Sequence, residues 1–236
     1  MADISNDAHF VDRETWLAAR GELLKREKVL TRERDALSAA RRDLPLVRVD
    51  TDYVFETERG TETLADLFRG RGQLIVYHFM FGADWEEGCK SCSFWMDNFD
   101  GIDAHLAARD VSFVAVSTAA LDTLLAYRSR MGWRFDWVSS GDGPFNRDFG
   151  VTFPGRDPGP TNGYNYTGRV FGEEMPGVSI FRRFADGSIG HSYSTYGRGL
   201  DILNGAYHLL DLTPKGRDED GLDYTMEWLR RRDQYS

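Results

Sequence analysis

The amino-acid sequence predicts an α/β protein with a central mixed sheet flanked by helices. Two apolar runs of strand length, QLIVYHFMF (73–81) and VSFVAVS (111–117), have the continuous pattern of strands that are buried on both faces. Helical spacing follows each run, across 92–108 and then from Leu121 to Met131. Because a β-α-β-α order favours parallel strands joined by right-handed crossovers, we expect these two strands to be parallel neighbours.

The remaining elements of the sheet are predicted from turn signals. Residues 47–68 have the pattern of two extended segments around Arg59-Gly60 and then a short helix. A third strand is expected at 134–140. The dipeptide Asp186-Gly187 predicts an antiparallel hairpin that completes the sheet, before a last helix from about Leu200.

A helical arm is predicted to precede the main domain, which gives a division into 1–45 and 46–236, the latter with a C-terminal extension. Asp12 is a possible N-cap, helix formers follow, and Pro45 stops them, so we expect one long or two shorter helices. Leucines recur every seven residues, but the positions four further on are charged, which argues against a strict coiled coil. Docking of this apolar stripe on the main domain, or a homodimer formed through the arm, is a hypothesis.

Length, charge and the first residues limit the class of protein. A chain of 236 residues with 41% hydrophobic content can bury one sizeable core. Its net charge of -9 would repel a phosphate backbone, so nucleic acid is not an expected partner. No apolar stretch approaches the roughly 20 residues that cross a bilayer. The start of the chain lacks the basic and apolar regions of a signal peptide, and we therefore expect a cytoplasmic protein without a membrane partner.

The two cysteines of the chain form a C-x-x-C pair, Cys89 and Cys92. In a reducing compartment such a pair is more often catalytic or metal-binding than structural. We expect Cys89 at the N-terminus of a helix and Cys92 one turn inside it. There the helix amides and Lys90 favour a thiolate, whereas three acidic residues of the loop GADWEEG oppose it. The sequence thus predicts a dithiol–disulfide exchanger, but it does not determine the reduction potential. Such a protein needs no cofactor besides its own redox-active disulfide.

The order of LIVYHFMF, CKSC, a helix, VSFVAVS and MPGVSIF resembles the thioredoxin-like layout over about residues 46–212. More narrowly, WLAARGELLKREK, GCKSCSFWMDNFDG, MGWRFDWVSS and LLDLTPKGRDE resemble the bacterial family of predicted dithiol-disulfide oxidoreductases catalogued as a domain of unknown function. That family is related to the alkyl hydroperoxide reductase and thiol-specific antioxidant group. The resemblance implies a thioredoxin-like fold and thiol–disulfide exchange with a protein or a low-molecular-weight thiol or disulfide.

The resemblance also implies roles for individual residues. Cys89 would be the attacking cysteine, Cys92 the resolving cysteine, and Pro176 the proline that faces the disulfide. This proline is often cis in the superfamily, and a cis X-Pro bond costs only about 0.5–1 kcal/mol. A cis bond would turn the backbone of Met175 toward the sulfurs, where it would pair with a bound peptide.

Two supporting residues near the cysteines have alternative interpretations. Trp85 lies on the approach loop and is either a packing residue or a cover for Cys89. His78 lies within the strand that leads to the cysteines, and it is either a hydrogen-bonded core histidine or a proton shuttle. A zinc site would need about four ligands, and neither a second C-x-x-C nor an H-x-x-x-H is present.

Two alternative functions remain open. The first is a thiol-dependent peroxidase of peroxiredoxin type, although Glu86 stands where the peroxidatic pattern of that branch places Thr or Ser. The second is a non-catalytic thioredoxin-like module in which the Gly- and Tyr-rich loop at 151–172 binds a partner. In an enzyme, this loop with Tyr164 and Tyr166 would border the active site as a lid or specificity loop, and the alternative interpretation is disorder.

Overall fold

The first of two compact units in this protein is a single long helix. The structure, a computed structural model, describes residues 10–235, and the chain divides into its two units between Pro45 and Leu46. Helix α1 (Arg13–Arg42) is N-capped by Asp12, whose carboxylate accepts a hydrogen bond from the Thr15 amide at 2.7 Å. None of its residues is buried. The arm is therefore one helix, and the homodimer through it stays a prediction.

The second unit contains a mixed sheet of eight strands in the order β1-β8-β7-β4-β5-β6-β2-β3. Strands β4, β5 and β6 are parallel, and the other neighbours are antiparallel. The predicted parallel centre and the hairpin at Asp186-Gly187 are thus confirmed. The strands are Val47–Arg48 (β1), Val54–Thr57 (β2), Gly60–Thr63 (β3), Gln73–His78 (β4), Val111–Ser117 (β5), Asp136–Ser139 (β6), Gly177–Arg183 (β7) and Ile189–Tyr196 (β8).

Helices cover both faces of this sheet, which confirms the predicted α/β architecture. Side chains alternate along β4, so that Tyr77 joins the apolar cluster under α3 and α5, and Val76 joins the cluster under α2 and α6. The helices of this unit are Leu64–Leu67 (α2), Lys90–Phe99 (α3), Asp103–Ala107 (α4), Leu121–Met131 (α5), Phe145–Asp148 (α6) and Gly205–Leu210 (α7). In the part of the chain that the structure describes, no helix is long and apolar enough to cross a membrane.

Two helical segments differ from the sequence prediction. The expected helix over 92–108 is broken into α3 and α4 at Gly101, which has a φ of 89° that other residues seldom adopt. The last helix begins later than expected, because residues 197–203 form 3-10 turns before Asn204 caps α7. Local backbone conformation decides both boundaries.

The predicted irregular loop packs a small core of its own. Val151, Phe153, Tyr164 and Tyr196 form an apolar cluster, whereas Tyr166 is exposed. Helix α6 lies just before this loop, and the sequence prediction did not include it. Tyr164 is thus a packing residue at the base of the loop.

His78 is a hydrogen-bonded core residue on the face of the sheet opposite the cysteines. Its Nδ1 lies 3.0 Å from Oδ1 of Asn146, and its Nε2 lies 2.9 Å from Oγ of Ser179. The chain of contacts continues through Ser194 to His191. Burial lowers the pKa of His78 to about 4. The ring is therefore neutral at physiological pH and does not face the thiols.

This burial predicts a loss of stability in acid. As the pH falls from about 6.5, the unfolded chain takes up a proton that folded His78 excludes, so the free energy of unfolding decreases. The shift to about 4 corresponds to a loss on the order of 3 kcal/mol. The variant His78→Gln keeps a hydrogen-bond donor and an acceptor but does not titrate. Urea denaturation between pH 7 and about 4.5 should show that its free energy of unfolding depends less on pH than that of the unaltered protein. Parallel curves for the two proteins would contradict the assignment.

Candidate functional site

The backbone places Cys89 at the start of α3. Its amide donates to the Met80 carbonyl at 3.1 Å, which folds the loop after β4 back on itself. Gly88 is required in this loop, because a Cβ there would lie 2.7 Å from Cε1 of Phe79. Cys89 is the N-cap residue of the helix, and Cys92 lies one turn further. The predicted position of the pair relative to the helix is confirmed.

The two thiols occupy different environments. Cys89 is partly exposed, Cys92 is 1% exposed, and both are free thiols. The thiol of Cys92 donates to the sulfur of Cys89 and lowers the pKa of Cys89 from 9.0 to about 6, against the opposing effect of burial. The amides of Cys92 and Ser91 at the helix start act in the same direction as that thiol. Cys89 is therefore the thiolate of the pair at neutral pH.

Cys92 is the protonated partner. Burial raises its pKa well above the ordinary value, and the neighbouring Cys89 raises it further. The Met80 amide donates to Sγ of Cys92 at 3.5 Å and acts in the opposite direction. The pair thus consists of one acidic, accessible sulfur and one buried sulfur that keeps its proton.

Tyr77 lies beside the buried thiol, a position that the sequence analysis overlooked. Its hydroxyl is fully buried and has no hydrogen-bond partner that meets ordinary geometry among the described residues. Burial and the Cys92 thiol raise the pKa of Tyr77, and the hydroxyl in turn lowers the pKa of Cys92. The alternation of β4 was the available signal, because it directs Tyr77 to the cysteine face and His78 away from it.

Pro176 shares a cleft with Cys92, and its peptide bond is not in the isomer that is common in the superfamily. It lines a cleft of 660 Å³ together with Cys92 and Tyr77. No described peptide bond is cis, so the expected cis bond before Pro176 is wrong. The trans isomer is the lower in energy, and here the Tyr164 hydroxyl binds the Pro176 carbonyl at 2.7 Å. The amide of Met175 donates to the Val151 carbonyl at 2.8 Å and is not available to a peptide.

Lys90 and Trp85 make contacts other than those expected near the thiolate. The amine of Lys90 donates to the Glu227 carbonyl at 3.2 Å and lies 5.9 Å from the centre of the Tyr224 ring. The half-exposed indole of Trp85 packs over Gly82, where a Cβ would lie 2.9 Å from its Nε1. The acidity of Cys89 therefore comes from Cys92 and the helix amides.

The C-terminal extension holds the cysteine loop in place, which sequence spacing did not reveal. Arg231 donates to the Gly88 carbonyl at 2.7 Å and to the Tyr127 hydroxyl at 2.8 Å, and it pairs with Glu87 at 2.7 Å. Tyr127 continues this network to Ser93, whose hydroxyl donates to the Cys89 carbonyl. The charge of Glu87, which counted against a thiolate in the sequence, is thus compensated.

Within residues 10–235, no three His, Cys, Asp or Glu side chains are arranged to hold a metal ion.

The family described as bacterial protein of unknown function (DUF899) matches residues 5–235. The chain belongs to this family. No curated protein matches it.

Solved structures that the DUF899 chain is similar to include thiol enzymes by name. Peroxidoxin BcpB from Mycobacterium tuberculosis is 13% identical over 68% of this chain and 93% of its own, with a TM-score of 0.47. Peroxiredoxin Q from Xanthomonas campestris is 14% identical over 68% and 94%, with a TM-score of 0.47. A Chlorobium tepidum protein assigned as thiol:disulfide interchange protein DsbE is 14% identical over 69% and 99%, with a TM-score of 0.40.

The contact between the thiols predicts an acidic Cys89. Its alkylation by iodoacetamide should rise with pH to a plateau, with a midpoint near the pKa of about 6, because only the thiolate reacts. Cys92→Ala removes the donor and should raise that midpoint, whereas Cys92→Ser keeps a hydroxyl donor and should raise it less. A midpoint near 9.0 in the unaltered protein would show that the contact has no effect.

Removal of the Tyr77 hydroxyl should make Cys92 harder to ionise. We expect Tyr77→Phe to raise the pKa of Cys92 further, because the thiolate loses the neighbouring hydroxyl that lowers this pKa. The ¹³Cβ chemical shift of Cys92 against pH measures this directly. Tyr53→Phe is the matched control, because that hydroxyl binds Asp148 among residues of the opposite cluster. Equal effects of the two substitutions would exclude a specific role for Tyr77.

Proposed function

We propose that this DUF899 chain is a thiol–disulfide oxidoreductase. Its Cys89–Cys92 pair alternates between dithiol and disulfide by exchange with a protein or with a low-molecular-weight thiol or disulfide. The observation that carries the proposal is that two cysteines one helical turn apart have pKa values shifted in opposite directions. The pKa of Cys89 is lowered and that of Cys92 is raised. An exchanger needs one sulfur that attacks as a thiolate and a second that stays protonated until the first has reacted. Cys89 and Cys92 have these two properties.

In the first step, the thiolate of Cys89 attacks one sulfur of the substrate disulfide. The substrate S–S bond breaks, a bond forms between Sγ of Cys89 and the attacked sulfur, and the departing thiolate takes a proton from water. The amides of Ser91 and Cys92 hold the thiolate before attack. The product is a mixed disulfide at the partly exposed position.

In the second step, Cys92 resolves the mixed disulfide. Once Cys89 is bonded to the substrate it no longer stabilises the proton of Cys92, and the Met80 amide and the Tyr77 hydroxyl favour the Cys92 thiolate. This thiolate attacks Sγ of Cys89, and the second substrate thiolate leaves and is protonated. Two electrons have then passed from the dithiol to the substrate, and the reverse sequence oxidises a substrate dithiol.

The alternatives are weaker on this geometry. A binding module has no need for a thiolate at its surface, and the loop at 151–172 is anchored by its own apolar cluster. For a peroxidase the second substrate is peroxide, which would form a sulfenic acid at Cys89 before Cys92 closes the disulfide. Peroxide consumption with a thiol reductant separates this reaction from disulfide exchange.

A redox titration against dithiothreitol or glutathione buffers tests the proposal. Alkylation followed by mass measurement should show one reversible two-electron transition between about -120 and -270 mV. Cys92→Ser should accumulate a mixed disulfide with the buffer thiol, because attack occurs and resolution does not. Cys89→Ser should accumulate none, because the remaining sulfur is buried and protonated. A protein that never forms the intramolecular disulfide, or that turns over peroxide but no disulfide, would overturn the proposal.

A further inference from the structure

The cleft beside the cysteine pair has an apolar floor and a charged rim. Trp95 and Leu200 line the floor together with Cys92 and Tyr77. The rim is formed largely by the C-terminal extension between Asp211 and Met226. Cys92 lines this cleft and its thiol contacts the sulfur of Cys89, so the cleft opens beside the cysteine pair.

The charges around this rim are unequal. Among the described residues that line the cleft, five are acidic and three are basic, a net formal charge of -2. The basic residues are already engaged: Arg217 pairs with Asp211 at 2.9 Å and with Asp201 at 3.0 Å, Arg198 also pairs with Asp201 at 3.2 Å, and Lys215 pairs with Asp218 at 3.4 Å. These pairs leave little cationic charge for an anionic substrate.

Two carboxylates on the rim have no cation of their own among the described ion pairs. One oxygen of Glu219 accepts three hydrogen bonds, from the Tyr207 hydroxyl at 2.9 Å, the Met226 amide at 3.0 Å and the Trp228 indole at 2.7 Å. These donors are all neutral, so the charge of Glu219 is held in place without being cancelled. Asp220 is exposed beside it.

We infer that this cleft selects a cationic disulfide over an anionic one, an inference that rests on the proposed thiol–disulfide exchange. A concave surface with charge of one sign focuses the field and raises the local concentration of ligands of the opposite sign. The chain as a whole, at -9, adds to the same field. A disulfide with ammonium groups is therefore attracted, whereas oxidised glutathione, with its excess of carboxylates, is repelled.

The chemistry is the same for either substrate and balances in the same way. The thiolate of Cys89 displaces one cysteamine from cystamine, and Cys92 then displaces the other as it closes the protein disulfide. Two cysteamine thiols form, and the protein loses two electrons and the proton of Cys92; the other cysteamine takes its proton from water. Only the approach of the substrate to Cys89 depends on the rim charge.

The test compares three disulfides as oxidants of the reduced protein in stopped-flow experiments: dicationic cystamine, uncharged hydroxyethyl disulfide and anionic oxidised glutathione. Each rate is divided by the rate at which that disulfide oxidises dithiothreitol, which removes differences in intrinsic reactivity. At low ionic strength we expect the normalised rate to be about tenfold higher for cystamine than for oxidised glutathione. In about 1 M salt, where the screening length is only about 3 Å, the ratio should approach one.

Matched variants locate the effect in the cleft. Glu219→Gln keeps the oxygen that accepts the three hydrogen bonds but removes the charge, and Asp220→Asn removes the other. Together they should reduce the preference severalfold. Glu56→Gln is the control, because Glu56 is exposed on β2, the strand next to the edge strand β3. It removes one charge elsewhere in the protein and should leave the preference for cystamine unchanged.

Each outcome separates the charge selection by the cleft from the exchange reaction itself. Exchange with all three disulfides, with oxidised glutathione as fast as cystamine or faster, overturns the charge selection and leaves the proposed function standing. A preference that survives in the double variant also overturns it. No reaction with any of the three overturns the proposed function itself. A cystamine preference that depends on salt and on Glu219 and Asp220 establishes the inference.

Discussion

The contact between the thiols of Cys89 and Cys92 is the interaction on which the site depends. It makes one cysteine acidic and keeps the other protonated, and both effects arise because Cys92 is buried while Cys89 reaches the surface. The start of α3 produces this asymmetry. Cys89 caps the helix and stays partly exposed, whereas Cys92, three residues later, packs into the apolar cluster under the helix. A pair of equally exposed cysteines would lack this division of roles.

Several distant parts of the second unit maintain that contact. The Cys89 amide is bound by Met80, the close packing of Gly88 against Phe79 sets the path of the loop, and Arg231 holds the Gly88 carbonyl. The extension that supplies Arg231 also builds the rim of the cleft. The same segment of the chain thus positions the thiols and supplies most of the charged residues of the neighbouring cleft. Its acidic residues line the cleft that also contains Cys92.

Much of the fold was predictable because it follows from local patterns. The apolar runs at 73–81 and 111–117 were recognisable as buried strands, and Asp186-Gly187 marked a hairpin, since each signal lies within a few residues. The break at Gly101 was missed because a single glycine within a helical pattern does not state which conformation it adopts. The pair of cysteines was recognisable for the same reason as the strands. Their spacing is one helical turn.

The sequence alone determined the parallel centre and the hairpin of the sheet, a helical arm before them and the position of the cysteine pair at a helix N-terminus, because periodicity and capping act over a few residues. Only the tertiary structure decided which side chains surround that pair. It directed Lys90 to the Glu227 carbonyl, kept the bond before Pro176 trans, brought Arg231 to Gly88 and left the Tyr77 hydroxyl beside Cys92. These contacts join residues far apart in the chain. Their energies depend on burial, which a linear pattern does not contain.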